Sequence, residues 1–371
     1  MPIIERIDVH VFRAPIAVPV VNSFGAITGR PMTLVSVTDS DGIVGWGEIW
    51  CNFPQVGAEH RARLVASVFA PLLIDQPAIE PAAHFAQLER KVAAQVLQTG
   101  EQGPFAQCLA GIDQALNDVG ARRAGMPLWR YLGGVSPRVP VYSSGIGPDD
   151  VERVVTQQWR SGFRAFKLKI GFGRERDLAN LRTMRRALPE AATLMADANQ
   201  AWSATEAMSM CSELNPYRLA WLEEPIAADT PWPVWQTLAA KAPMPLAAGE
   251  NLRGDSAFEA AIASHSLGAL QPDIGKWGGF SRCATIGRRA VAAGLRFCPH
   301  WLAGGIGLMA SLHLRAAVGG DGPAEWDANP NPLRERFPLP AVDEGVVTLS
   351  DTPGLGFQPD IVSLADFRVA L

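Results

Sequence analysis

The chain has 371 residues, 48% of them hydrophobic and 19% charged, and a formal net charge of −4. This length exceeds one ordinary core and suits a barrel with a smaller second domain, while the mild acidity offers no basic footprint for nucleic acid or an anionic membrane. No apolar run is long enough to span a bilayer.

The first residues, MPIIERIDVHVFRAPIAVPV, alternate like a strand and carry an early acid, unlike a signal or transit peptide. The segment TLVSVTDSDGIVGWGEIW, 33 to 50, is an apolar alternation interrupted by Asp-Gly, which predicts a β-hairpin. Helical periodicity follows at about 58–73, 80–97 and 104–124, the last with proline near its start and glycine at its end. Cys51, Cys108, Cys211, Cys283 and Cys298 are scattered, odd in number and without a C-x-x-C pair, as expected of reduced thiols in a cytoplasmic protein. The glycines of AGGIG, 303 to 307, lack the lysine of a phosphate loop and read as a turn into a helix.

From about residue 138 the rhythm changes. Short apolar segments, VPVYSS, AFKLKI, ATLMAD, LAWLEE, MPLAAGE, GALQPD, LRFCPH and PAEW, alternate with amphipathic helical ones, which predicts an α/β fold, a parallel β/α barrel. In FKLKIG the two lysines, Lys167 and Lys169, point the same way from an otherwise apolar strand. They are either solvated on an edge or paired in a cavity, where each would lower the other's pKa. The phase of the other segments decides for the cavity. Each later one ends in an ionisable residue, Asp197, Glu223, Glu250, Asp273, His300 and Glu325, at separations from Lys169 onward of 28, 26, 27, 23, 27 and 25, one βα unit each time. Strand ends converge on one mouth in such a barrel.

Asp197, Glu223 and Glu250, from three consecutive strands, suit Mg²⁺ and leave room for water and a substrate carboxylate. Mn²⁺ also suits carboxylate oxygens. Alternation makes only one of Glu223 and Glu224 a ligand without saying which. Lys169, flanked by Lys167 and the cation, is expected to have a lowered pKa and act as a base. His300 can pair with Asp273 on the adjacent strand, which would fix its tautomer. Such a set suits removal of the proton α to a carboxylate, with the doubly negative enediolate stabilised by cations. Glu325, if kept protonated, could donate a hydrogen bond to the same oxygen.

K-x-K (167–169), D-x-N (197–199), EEP (223–225), GEN (249–251), PD…K.GG (272–279), His300 and EW (325–326) together resemble the enolase superfamily, in its mandelate racemase subgroup, over nearly the whole chain. GIDQALNDVGARRAGMPLWRYLGG (111–134) is similar to that family's domain junction, with Asn117 where tryptophan is common. The resemblance implies a modified (β/α)7β barrel, residues 129–340, under an α+β capping domain, 1–128, onto which 341–371 packs back. It makes Asp197, Glu223 and Glu250 the ligands of one Mg²⁺ per subunit. Lys169 would be one acid/base and the His300–Asp273 dyad the other. Lys167 would neutralise the substrate carboxylate, and Glu325 would donate to the enolate oxygen. A homo-oligomer, dimer or octamer, is implied too. Specificity would come from cap loops at 20–29 and 49–57, with Phe24, Trp50, Phe53 and Asn52 as candidate contacts, joined by Arg30, Asn199 and Lys276.

The partner expected is a small carboxylate. The favoured reaction is dehydration of an acid sugar, an aldonate or aldarate, to a 2-keto-3-deoxy acid. The alternative is 1,1-proton transfer, racemising or epimerising a 2-hydroxy or amino acid derivative. A metal-binding scaffold without chemistry is the remote third reading, since no acid/base position is missing.

Overall fold

The computed structural model describes residues 1–22, 25–54 and 56–371. Strands β1 (Ile4–Asn22), β2 (Gly25–Asp39) and β3 (Val44–Ile49) form an antiparallel sheet. The Asp-Gly turn joins β2 to β3: Asp39 Oδ1 accepts from the amides of Asp41 and Ile43, at 3.0 and 2.9 Å, and Gly42 takes φ +81°. Helices α1 (Gly57–Leu64), α2 (Ala70–Leu73) and α3 (Pro81–Thr99) lead to the buried α4 (Gln102–Arg123) and the short α5 (Leu128–Tyr131). Gly45 and Gly47 let β3 lie against the backbone of α4, because a Cβ at either would overlap Ala115 or Gly111 carbonyl oxygens.

Beyond α5 the chain alternates strand and helix: β4 (Arg138–Ile146), α6 (Val151–Arg160), β5 (Ala165–Lys169), α7 (Arg174–Ala187), β6 (Thr193–Asp197), α8 (Ala204–Leu214), β7 (Leu222–Glu223), α9 (Trp232–Ala239), β8 (Leu246–Ala248), α10 (Asp255–Ala263), β9 (Ala269–Leu270), α11 (Gly279–Ala292), β10 (Arg296–Phe297), α12 (Gly305–Val318) and β11 (Ala324–Asp327). The strands pair in parallel in the order β10-β9-β8-β7-β6-β5-β4-β11. The amide of Glu325 donates to the Pro299 carbonyl at 3.2 Å, which joins β11 to the chain just after β10 and closes the ring. This is the (β/α)7β arrangement, with every expected strand present. Tyr142, Met195, Trp221, Ala247, Ala269 and Cys298 fill its interior. All five cysteines are free and buried, and among the described residues no helix is long and apolar enough to cross a membrane.

After β11, strand β12 (Val346–Thr348) adds antiparallel to β4 and the chain returns to the first sheet. The Leu355 amide donates to Asp118 at 2.8 Å, Trp46 Nε1 to Gln358 at 3.0 Å, and the Val369 amide to the Val11 carbonyl at 2.9 Å. His313 of α12 locks this return: Nδ1 accepts from the Trp129 amide at 3.0 Å and Nε2 donates to the Leu355 carbonyl at 3.3 Å. Burial lowers its pKa to about 4. A base held below its unfolded value contributes stability that is full above pH 6.5 and lost as pH falls toward 4, about 3 kcal/mol in all. Urea unfolding should therefore show His313→Asn losing less stability than wild type between pH 7 and 4; equal losses would contradict this.

Candidate active site

Lys167 and Lys169 leave β5 on the same side and are both buried, because the barrel interior supplies carboxylates on the neighbouring strands. Lys167 Nζ lies 2.7 Å from Glu223, 2.9 Å from Glu325 and 3.7 Å from Asp197. Lys169 Nζ lies 2.5 Å from Asp197. The expected lowering of the Lys169 pKa relies on Lys167 and a cation together, and the protein's own groups set the balance the other way. Burial and Lys167 do act to lower it, but Asp197 and, from farther off, Glu223 and Glu250 outweigh them and raise it.

His300 forms the expected dyad: Nδ1 is 2.6 Å from Asp273 Oδ2, while Asp273 Oδ1 accepts from the amides of Gly275 and Lys276 at 2.8 and 2.9 Å. His300 Nε2 faces Glu250 Oε2 at 2.6 Å, and Lys276 Nζ reaches the same oxygen at 3.2 Å. Burial disfavours the imidazolium, but Glu250, Glu325 and Asp273 hold its pKa well above the ordinary value. Glu325 is bonded to Ser144 and accepts from the Trp301 amide at 3.2 Å. It is not kept protonated as expected. Burial pushes its pKa up, yet Lys167 and His300 overcome that and hold it down.

These groups meet beneath a cavity of about 260 Å³ at the C-terminal ends of the strands. Lys169, Asn199, Glu250, Lys276 and His300 line it from the barrel, and Trp50, Asn52 and Phe53 cover it from the cap. Asn52 donates to the Leu302 carbonyl at 2.6 Å, and Lys276 Nζ sits 5.0 Å from the Trp50 ring centroid, a cation–π contact. Phe24 lies outside the described residues. Arg30 is not at the cavity: it is buried against Asp327 at 2.9 Å and donates to the Pro330 carbonyl. Gln200, Asn251 and Leu302 also line the cavity and went unrecognised in the sequence. The first two directly follow D-x-N and the glutamate of GEN, and that adjacency was the available signal. Strict alternation also fails at EEP. Strand β7 ends at Glu223, and Glu224 takes φ +37°, so both glutamates are buried, Glu224 accepting from Gln200 and Asn251 at 3.0 Å.

Six buried carboxylates, Asp197, Glu223, Glu224, Glu250, Asp273 and Glu325, share this region with four basic side chains, Lys167, Lys169, Lys276 and His300. Even with all four charged, two negative charges remain, the deficit one divalent cation would fill. The imbalance shows at Glu223, pushed up to about 8 by burial and Asp197, and at Glu224, pushed up to about 7 by burial and Glu250. Among the described residues no three acidic or histidine side chains converge tightly enough to enclose an ion. Lys169 holds Asp197, Lys167 holds Glu223, and His300 with Lys276 holds Glu250. In donor type, burial and charge the three carboxylates fit a hard dication.

The profile described as "Enolase C-terminal domain-like" matches residues 150–362, and that described as "Mandelate racemase / muconate lactonizing enzyme, N-terminal domain" matches residues 6–133. The chain is therefore an enzyme of the enolase superfamily and belongs to its mandelate racemase/muconate lactonizing enzyme subgroup. It is similar to the crystal structure of a mandelate racemase/muconate lactonizing enzyme from Bordetella bronchiseptica RB50, with 50% identity, 98% of this chain and 99% of that one covered, and TM-score 0.90. It is 31% identical to the D-galactarolactone cycloisomerase of Agrobacterium fabrum over 99% of each chain. A racemase from Streptomyces coelicolor A3(2) with bound magnesium aligns at TM-score 0.88 and 26% identity, covering 99% of this chain and 100% of that one. The wider set of homologues includes acid-sugar dehydratases, cycloisomerases, racemases and an o-succinylbenzoate synthase.

Proposed function

We propose that this enzyme removes the proton α to the carboxylate of an acid sugar, an aldonate or aldarate, and expels the β-hydroxyl, giving a 2-keto-3-deoxy acid. The observation that carries the reading is that Lys169, at the end of the second barrel strand, and His300, just after the seventh and backed by Asp273, line one small cavity whose remaining polar lining includes the amides of Asn52, Asn199, Gln200 and Asn251. Amides suit hydroxyl groups, and the dehydratase and cycloisomerase relatives are named for sugar acids and their lactones. Barrel residues 129–340 carry the chemistry, and the cap, 1–128 with 341–371, closes the cavity.

Asp197, Glu223 and Glu250 would hold Mg²⁺, which when bound supplies positive charge to the substrate carboxylate as its α-carbon becomes acidic. Lys169, released from Asp197 and so freed of the partner that raises its pKa, accepts the α-proton at Nζ in its neutral form. The electron pair of the broken C–H bond first enters the carboxylate as an enediolate, which then collapses to form the Cα=Cβ bond as the β C–O bond breaks. His300 Nε2 delivers a proton to the departing hydroxyl, which leaves as water, and the resulting enol tautomerises to the ketone. Asp273 holds Nδ1 so that Nε2 faces the cavity. Lys167 keeps a fixed positive charge under the site, and Glu325, ionised between Lys167 and His300, orients both.

The placement of Lys169 and His300 on well-separated strands also supports the second reading, 1,1-proton transfer between two faces. Proton NMR in D2O with Mg²⁺, on a panel of aldonic and aldaric acids beside hydroxy and amino acids, separates the two. New signals of a 3-deoxy-2-keto acid are expected. Loss of the α-proton signal with only the opposite stereoisomer formed would replace dehydration by racemisation or epimerisation.

A further inference from the structure

Two cap side chains that never reach the cavity grip the two loops carrying the dyad. Glu48, on β3, is buried and crosses to the barrel, where Oε1 accepts from the Gly304 amide at 2.6 Å and Oε2 from the Gly307 amide at 2.9 Å. These amides open α12, a few residues after His300. Gln114, on α4, is fully buried: its Oε1 accepts from the Glu48 amide, and its Nε2 donates to the carbonyls of Glu48 and Ile274, each at 3.1 Å. Ile274 directly follows Asp273.

Trp301 joins the two loops. Its Nε1 donates to the Gly304 carbonyl at 2.9 Å, and its ring rests on Gly275 and Gly307, where an added Cβ would collide with it. A Cβ at Gly304 would likewise collide with the Glu48 carboxylate, so the glycines exist to let these groups meet. The result is one continuous block, from Glu48 through the start of α12, Trp301 and the Asp273 loop to Gln114.

The chemistry of position 48 is specific. Two amide N–H groups converge on it, and only a carboxylate offers both an acceptor; a primary amide would set its own NH2 against one of them. The residue keeps this arrangement although burial pushes its pKa up to about 7, which marks the ionised form as costly to hold there.

We infer that Glu48, with Gln114, is a positioning residue that holds His300 in register with Asp273, so that docking of the cap and assembly of the dyad are one event. The inference rests on the reading that His300 is the acid/base group, but its test does not need the substrate. In protein carrying ¹⁵N-labelled histidine rings, the 2.6 Å His300–Asp273 bond should give a far-downfield Nδ1–H signal, identified by its absence in His300→Asn. In Glu48→Gln, with its thermal melting still cooperative, that signal should move upfield or broaden away. Turnover of the acid sugar found by NMR should fall on the order of 10- to 100-fold in kcat, with KM unchanged. Gln114→Glu, which loses the donor to Ile274, reads the same link from the Asp273 side should Glu48→Gln fail to fold. An unchanged Nδ1–H signal in the folded variants overturns the inference. A displaced signal in a protein that turns over no acid sugar supports the clamp and removes the proposed reaction instead.

Discussion

Lys169→Ala should lower turnover of the acid sugar by roughly 10²- to 10⁴-fold, the usual contribution of a positioned acid or base, and should abolish exchange of the α-proton with solvent. The fold should survive. Lys169 contacts one carboxylate, Asp197, and that group keeps Lys167 at 3.7 Å and the Asn199 amide at 2.8 Å. Divalent-metal binding should persist, because the substitution removes a competitor for Asp197 rather than a ligand. Calorimetric titration with Mg²⁺ beside a single-turnover assay checks both halves. Wild-type turnover in the variant would remove Lys169 from the reaction, and loss of metal binding would show that the ammonium helps to build the ion site.

His300→Asn should be as damaging to product formation, for a different reason. The asparagine cannot deliver a proton from the position of Nε2, so the β-hydroxyl has no acid to help it leave. The α-proton, taken by Lys169 from the other side, should still exchange with D2O. The variant should thus wash deuterium into unreacted substrate while making little 2-keto-3-deoxy acid, a split that Lys169→Ala does not show. If both variants lose exchange equally, the two groups do not divide the labour as proposed. Should exchange in His300→Asn be confined to one stereoisomer of the substrate, with interconversion lost, 1,1-proton transfer becomes the better account.

The strand-end series was legible in the sequence because a barrel repeats its chemistry once per βα unit, so Asp197, Glu223, Glu250, Asp273, His300 and Glu325 stand at nearly constant spacing. What stayed hidden depends on contacts that no local pattern records. Arg30 looked available to a substrate, yet it is taken by Asp327, 297 positions away. Alternation sent Glu223 and Glu224 to opposite sides, and a single positive φ at Glu224 cancelled it. The raised pKa of Lys169 turns on its contact with Asp197, whereas the sequence pointed to the neighbouring lysine and a cation. Glu48 reads as one more residue of an alternating hairpin, and its role emerges only when Gly304, 256 positions on, is seen against its carboxylate.

The central claim is that this site makes the carbon α to a carboxylate acidic with the help of a divalent cation. It is tested most directly by incubating the enzyme in D2O with galactarate or another aldaric acid and following the α-proton signal, with Mg²⁺ and then with excess EDTA. The account predicts deuterium at the α-carbon, or its removal into a 3-deoxy-2-keto product, in the first case and an unchanged spectrum in the second. Equal rates with and without the chelator would contradict it, as would an inert α-proton across the whole panel of acid sugars.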